Sequence, residues 1–195
     1  YGRGTCDMKG FIACTLAVAP LFASKKLKVP IHFSYTFDEE TGCLGAPFVL
    51  ADLKKRNINF SACIIGEPTS MKAITAHKGY NEYITHFTGL SGHASNPESG
   101  VSAIEYAIRY SNKLIELRDE LKKRNSKKTS FSPSYSTLQI GKISGGIGAN
   151  VIPDQCSLEW EVRPINKDDG DFVSKNIDSF TKDILLPEMK KNNPK

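Results

Sequence analysis

The sequence IHFSYTFDEE, at positions 31–40, combines a β-strand pattern with a run of carboxylates. Apolar and polar side chains alternate along its first part, which is typical of a strand. Asp38, Glu39 and Glu40 follow without a break. Because divalent cations prefer hard carboxylate oxygens, acidic residues just past a buried strand indicate a metal site at one edge of a sheet.

Two isolated carboxylates occupy similar positions elsewhere. Asp7 precedes a helical pattern, and Glu67 follows a short apolar segment at positions 62–65. Taken singly, each has a structural interpretation, since Asp7 can cap a helix and Glu67 can belong to a turn. The pair Glu39 and Glu40 can likewise be solvated surface or complement a helix dipole. Recurrence after three apolar elements weakens these interpretations without establishing a metal.

The bulk composition is that of a globular protein without a nucleic-acid or membrane partner. The formal net charge is +5, but the 26 basic residues are scattered among 21 acidic ones and are not interleaved with aromatic residues. No apolar stretch approaches the roughly 20 residues that cross a bilayer. The chain has 5 cysteines and no C-x-x-C pair, which argues against a disulfide framework and a thiolate zinc site. We therefore expect buried, reduced thiols in a cytoplasmic protein.

The first third of the chain alternates helical and strand patterns. Helices are predicted at positions 8–25 and 45–56, with strands at 31–37 and 62–65. This alternation predicts the α/β class, in which parallel strands are covered by helices.

The pattern changes near Lys78. The elements that follow are a strand at 80–88, an amphipathic helix at 101–121, strands at 136–143 and 156–162, and a helix at 169–189. The order β-α-β-β-α is that of a ferredoxin-like unit with one strand still to come, an antiparallel sheet covered by two helices. The sequence thus predicts two domains, at positions 1–77 and 78–195.

Four motifs resemble those of one enzyme family: GRGTCDMKG at 2–10, DEE at 38–40, GEPT at 66–69 and SGHAS at 91–95. By these motifs the chain is similar to the co-catalytic zinc amidohydrolases and peptidases. The resemblance implies a partial zinc-exopeptidase-like catalytic domain with an inserted ferredoxin-like α+β domain for dimerisation or closure. It also implies two divalent metal ions as cofactors. Zinc is the expected metal, and cobalt or manganese suits the same ligands.

The resemblance further implies a role for each acidic residue. Asp7 corresponds to the carboxylate that bridges the two metals, while Glu40 and Glu67 each correspond to a ligand of one metal. Glu39 corresponds to the general base that deprotonates the attacking water and later protonates the leaving amine. The implied partner is a small N-acyl amino acid.

Three residues of the second predicted domain also match the family. His93, in a Gly-Ser loop, corresponds to a histidine that stabilises the tetrahedral oxyanion, often across a dimer interface. Asn150 and Arg163 correspond to substrate contacts near the amide and the carboxylate. Strand alternation also places Arg163 on the same face as Glu159 and Glu161, so an ion pair is the competing interpretation.

Two expected parts of the family's site have no counterpart here. The family has a His-x-Asp motif upstream and a zinc-binding histidine far downstream, and this chain contains neither. The resemblance therefore implies an internal segment, inactive by itself, of a longer protein.

Within the family, the chain resembles the acetylornithine deacetylases, and Glu67 stands where peptidase members commonly carry Asp. Desuccinylase or aminoacylase activity is the alternative in the same family. A non-catalytic dimerisation module is the alternative of another class, because the second predicted domain is expected to form a homodimer.

Overall fold

A computed structural model describes residues 1–124 and 129–192. Two compact units can be distinguished, Tyr1–Ile74 and Thr75–Lys195, which we call the first and the second unit. In the part of the chain that the model describes, none of the helices has both the length and the apolar character needed to span a bilayer.

The first unit contains two helices, α1 (Lys9–Ala23) and α2 (Ala46–Lys55). Both agree with the helices predicted at 8–25 and 45–56. Helix α2 has a proline in its first turn and two lysines in its last, where the fixed φ of proline and the helix dipole favour them.

The strands predicted in the first unit, at 31–37 and 62–65, are wrong. Throughout residues 1–74, all of which are described, the backbone forms no strand. A strand exists only where a neighbouring strand accepts and donates its ladder hydrogen bonds, and these two segments pair neither with each other nor with another part of the unit. Their apolar side chains are correspondingly exposed, as Ile64 is to 86%. Alternation alone predicted the side-chain pattern but not the pairing.

The second unit has more regular structure. Its elements are β1 (Asn81–Thr88), β2 (Gly92–His93), a 3-10 turn (Pro97–Ser99), α3 (Ala103–Lys123), β3 (Thr137–Gly145), β4 (Val151–Ile152), β5 (Gln155–Arg163), α4 (Lys167–Phe180), a π-helical turn (Thr181–Leu185) and α5 (Leu186–Asn192). The last three elements follow one another without a break, in place of the single helix predicted at 169–189.

The main sheet of the second unit is antiparallel, with strand order β1-β5-β3. Trp160 on the central strand β5 lies opposite Tyr83 on β1 and opposite Ile140 on β3. The predicted β-α-β-β-α order is therefore confirmed, and the fourth strand of a ferredoxin-like unit is not among the described residues. The fold class predicted from the sequence is correct for this unit.

Strand β5 supplies one wall of the hydrophobic core. Along it, every second residue is buried, and Leu158, Trp160 and Val162 are each at most 4% exposed. Trp160 stacks on Tyr83 with 4.3 Å between ring centroids, and its indole N–H donates to Thr85 Oγ1 at 3.0 Å. Burying each such side chain stabilises the fold by about 1.5–3 kcal/mol. The alternation that predicted β5 from the sequence is confirmed.

Helix α3 covers this wall with residues spaced three and four apart. The fully buried members of its stripe are Ala103, Ala107, Leu114, Leu117 and Leu121. The helix begins with a Ser-x-x-Glu pattern in which the Ser102 hydroxyl accepts the Glu105 N–H at 3.3 Å. The cap satisfies a backbone donor that would otherwise be orphaned at the helix N-terminus.

One buried polar cluster joins the end of α3 to the start of α4. The Asp169 carboxylate is almost fully buried and accepts hydrogen bonds from Ser136 Oγ at 2.5 Å and Arg124 Nε at 2.9 Å. Ser136 Oγ in turn accepts the Ile165 N–H at 2.9 Å. Because a buried charge is tolerated only when it is paired and hydrogen-bonded, this cluster fixes where α3, β3 and α4 meet.

The interpretation of the cysteines is only partly right. All five thiols are free, as predicted, but Cys156 alone is buried. The other four lie in the first unit, where few residues are buried at all.

Leu114 allows a test of the core in the second unit. Leu114→Ala should lower the free energy of unfolding by about 2–5 kcal/mol, because it removes a fully buried side chain and leaves a cavity. The chain has a single tryptophan, Trp160, so its fluorescence during urea unfolding reports on the second unit alone. Asn112→Ala, on the exposed side of the same helix, should change this energy by less than about 0.5 kcal/mol. Equal losses from both variants would contradict the core described here.

Candidate functional site

The acidic run of the first unit lies in a loop that closes on itself. The Gly45 N–H donates to the Phe37 carbonyl at 3.0 Å, and the Cys43 N–H donates to the Glu39 carbonyl at 2.9 Å. Gly45 is buried, and a Cβ there would come within 2.6 Å of the Phe37 backbone nitrogen. Only glycine fits at this crossing, so the loop holds the carboxylates of residues 38–40 in a fixed local frame.

The carboxylates of the first unit lie close enough to repel one another. The pKa of Glu67 is raised above its usual value, first by partial desolvation and then by the charges of Asp7, Glu39 and Glu40. The contributions of the three like charges indicate that Asp7, Glu39 and Glu40 lie near Glu67. The structure therefore brings the four acidic residues that the sequence singled out into one region of negative potential.

The donors fit a divalent cation in chemistry and charge but do not converge on one point. Glu40 is engaged by Arg3, whose Nη1 lies 2.7 Å from Glu40 Oε1. Among residues 1–124 and 129–192, no group of three or more His, Cys, Asp or Glu side chains is arranged to hold a metal ion. Asp7, Glu40 and Glu67 thus share a field that a cation would neutralise, and their roles as ligands remain predictions.

Glu39 differs from its neighbour Glu40 in its contacts. Within the described residues Glu39 forms no ion pair, and its side chain is approached only by the Cys43 thiol, at 3.8 Å from Oε1. A carboxylate without a cationic partner keeps its lone pairs available for a proton, which is the property that a general base needs. Glu39 and Glu40 thus have different local environments, and the different roles predicted for them stay predictions.

In the second unit, His93 and Asn150 are held side by side by a small antiparallel sheet. His93 on β2 pairs with Val151 on β4, and the Ala94 N–H donates to the Asn150 carbonyl at 3.0 Å. Both residues are exposed. Residues 57 positions apart in the sequence are thereby neighbours at one edge of the unit.

Arg163 already has a carboxylate partner. Its guanidinium binds both oxygens of Glu161, at 2.8 and 3.1 Å, and lies 4.7 Å from the centre of the Tyr80 ring. The hydrogen bond to Glu161 is also the main reason that the pKa of Arg163 is raised. The ion-pair interpretation of the sequence is thus confirmed, whereas the role of Arg163 in substrate recognition stays a prediction.

Two contacts of these residues were not predicted from the sequence. Arg3 binds Glu40, and Ser95 binds the ring of His93. Arg3 lies inside the motif GRGTCDMKG and Ser95 inside the motif SGHAS. The motifs therefore marked both residues, although they did not indicate these contacts.

The second unit is thus a layer of helices on an antiparallel sheet, with a histidine loop at its edge. Residues 75–189 match the family model described as the peptidase dimerisation domain, M20_dimer. The chain therefore belongs to that family, as the resemblance of its motifs implied.

Curated relatives match both units. The chain is 41% identical over 187 residues to the acetylornithine deacetylase of Proteus mirabilis, covering 96% of this chain and 46% of that protein. It is 40% identical to that of Salmonella typhimurium, covering 96% of this chain and 47% of that protein. The chain thus spans less than half the length of these relatives. Among solved structures, a Burkholderia vietnamiensis amidase of the hydantoinase/carbamoylase family overlaps 57% of this chain and 25% of that one with a TM-score of 0.47 at 16% identity, too loosely to carry an argument.

Gly89 is expected to control whether the histidine loop can close. The loop is sealed where Leu90 and Val101 exchange backbone hydrogen bonds of 2.9 and 2.8 Å, and a Cβ on Gly89 would overlap the Val101 carbonyl oxygen. Gly89→Ala should therefore destabilise the second unit by about 1–3 kcal/mol in urea unfolding followed by Trp160 fluorescence.

A second glycine provides the matched control. Gly170 lies in α4, where a Cβ would have its nearest neighbours at an ordinary 3.8 Å. Gly170→Ala should therefore stabilise the unit, by about 0.5–1 kcal/mol, because alanine loses less entropy in a helix. A Gly89→Ala variant as stable as the wild type would show that the loop is not closed as described.

Proposed function

We propose that the full-length protein is a divalent-metal-dependent amidohydrolase that removes the acetyl group from N2-acetylornithine, giving ornithine and acetate. Curated relatives named acetylornithine deacetylase, at about 40% identity over 96% of this chain, support this substrate. The observation that carries the proposal is the nearness of Asp7, Glu39 and Glu40 to Glu67, whose pKa their charges help to raise. We place the activity in the cytoplasm and in arginine biosynthesis, as part of the same proposal.

The metal ions would be held by Asp7, Glu40 and Glu67, and zinc is the expected metal. When bound, divalent cations polarise the amide carbonyl and make water acidic enough to be deprotonated near neutral pH. The charges of Asp7, Glu39 and Glu40 oppose the ionisation of Glu67, as its raised pKa reflects, and a bound cation would relieve this repulsion. Arg3 must share or release Glu40 when the site fills.

Glu39 is the group that moves protons. Its carboxylate takes a proton from the attacking water as the water's oxygen forms a bond with the acetyl carbon. The carbon–nitrogen bond then breaks, and Glu39 returns the proton to the nitrogen of the leaving ornithine. Proton balance therefore needs only one carboxylate, and the absence of an ion pair on Glu39 within the described residues supports this assignment.

His93 and two other residues of the second unit act on the substrate. His93 donates a hydrogen bond to the oxygen of the acetyl group as negative charge develops on it. Asn150, held beside His93, contacts the amide, and Arg163 recognises the substrate carboxylate. For the last role, Arg163 must give up one of its hydrogen bonds to Glu161 and bind the substrate carboxylate instead. Both side chains of this ion pair are partly exposed to solvent, so the exchange costs little.

The second unit would also join two copies of the protein. Its match to a peptidase dimerisation domain supports a homodimer. Helix α3 offers an apolar stripe for such a contact, because Ile108 and Ile115 lie two turns apart and are 49% and 37% exposed.

Replacement of the proposed base tests the mechanism. In the full-length protein, Glu39→Gln should lower kcat for acetylornithine by about 10²–10⁴-fold, because the attacking water loses its proton acceptor. Metal content, measured by elemental analysis, should stay unchanged. Asp52→Asn is the control, since Asp52 is an exposed carboxylate of the same unit that pairs with Arg56, and it should retain full activity. A Glu39→Gln variant that turns over acetylornithine at the normal rate would contradict the role of this residue.

The homodimer is tested by the mass in solution. Light scattering of the full-length protein should give twice the mass of one chain. The double variant Ile108→Glu, Ile115→Glu should shift the protein toward monomer, because charges would be buried in the contact. Ile184→Glu changes an isoleucine of similar exposure, 42%, outside α3, and should leave the dimer intact. If both variants remain dimers, the contact lies on another surface.

A further inference from the structure

His93 sits in a tight turn in which both backbone N–H hydrogen bonds have a defined direction. The Asn96 N–H donates to the His93 carbonyl at 2.9 Å, which closes a four-residue turn. Inside this turn, the Ser95 N–H donates to His93 Nδ1 at 3.2 Å, and Ser95 Oγ lies 2.8 Å from the same nitrogen. The ring is therefore tied to the backbone of its own loop.

These contacts determine which ring nitrogen carries the proton. A backbone N–H can only donate, so the His93 Nδ1 that it approaches must offer a lone pair. A neutral imidazole has one protonated nitrogen, and the hydrogen bond at one nitrogen fixes the state of the other. His93 is then protonated at Nε2. Among the described residues, no backbone or side-chain group hydrogen-bonds Nε2.

The hydroxyl of Ser95 has a different task from its N–H. It can donate to Nδ1 of the neutral ring and so restrains the ring's rotation about χ2, whereas the backbone N–H selects the tautomer. Without the hydroxyl, the single bond from the N–H, at 3.2 Å, would hold the ring less firmly.

We propose that Ser95 is a positioning residue that holds His93 as its Nε2–H tautomer, with Nε2–H presented as a hydrogen-bond donor. In this state Nε2 cannot act as a base or ligate a metal, since both need a free lone pair. It can donate to an oxygen on which negative charge develops. The inference rests on the proposed amidohydrolase function for its consequence, but the tautomer itself follows from the turn.

The tautomer is tested first, by NMR of the full-length protein carrying ¹⁵N-labelled histidine. The signals of His93 are assigned by their loss in His93→Gln. At a pH where the ring is neutral, the ¹⁵N shifts should show Nε2 protonated and Nδ1 unprotonated. Protonation at Nδ1 would overturn the proposal whether or not the full-length protein is a deacetylase.

The positioning role is tested next, with three variants. Ser95→Ala keeps the N–H and loses the hydroxyl, so the tautomer should persist while the ring becomes more mobile in ¹⁵N relaxation. In the full-length protein, kcat for acetylornithine should fall by roughly 2- to 10-fold, the equivalent of one hydrogen bond, with little change in KM. Ser95→Thr should restore both values. Ser91→Ala, in the same motif but without a contact to His93 among the described residues, should change neither.

The outcomes separate this inference from the proposed function. Unchanged ring mobility and kcat in Ser95→Ala would overturn the positioning role. A different result would contradict the deacetylase proposal alone: the wild-type protein is inactive, but His93 is in the Nε2–H state and its ring becomes more mobile in Ser95→Ala. The tautomer and the restraint of the ring would then still stand. Far-ultraviolet circular dichroism confirms in each case that the variant remains folded.

Discussion

The second unit depends on the burial of one face of β5. This strand lies between β1 and β3, so its backbone hydrogen bonds are satisfied on both sides. Leu158, Trp160 and Val162 then face α3 and α4, and a shift of register by one residue would turn all three toward solvent. This constraint positions β1 and β3 on either side of β5 and α3 over its buried face, and β4, which carries the partner of His93, comes directly before β5 in the chain.

The buried cluster around Asp169 adds specificity to this apolar packing. Hydrophobic contacts are non-directional, so by themselves they allow α4 to slide on the sheet. Asp169 accepts hydrogen bonds from the end of α3 and from Ser136, just before β3, and these have defined directions. Loss of any one partner would leave a buried polar group unsatisfied, so the cluster penalises every alternative docking of the helix.

What could be predicted from the sequence depended on the range of the interactions involved. Strand β5 was predictable because alternation encodes both its structure and its buried face. The segment at 31–37 has the same alternation but forms no strand, because a strand also needs a neighbouring strand to pair with. No local pattern encodes that partner. The same limit applies to the site: the acidic run was evident, whereas the contact of Arg3 with Glu40 joins residues 37 positions apart. The hydrogen bond from Ser95 to His93 is local, and the turn residues around it could have indicated it.

The acidic run and the histidine are held in comparable ways, although they belong to different units. In each, backbone hydrogen bonds close a short loop, at Gly45 with Phe37 and at Asn96 with His93. The backbone of the acidic run is thereby held in one turn, and the imidazole is fixed in one tautomer, before any ligand binds. A group that is ordered in advance costs no further entropy when it acts, which is the physical basis of electrostatic preorganisation. The local structure of each group is therefore set by hydrogen bonds within its own loop.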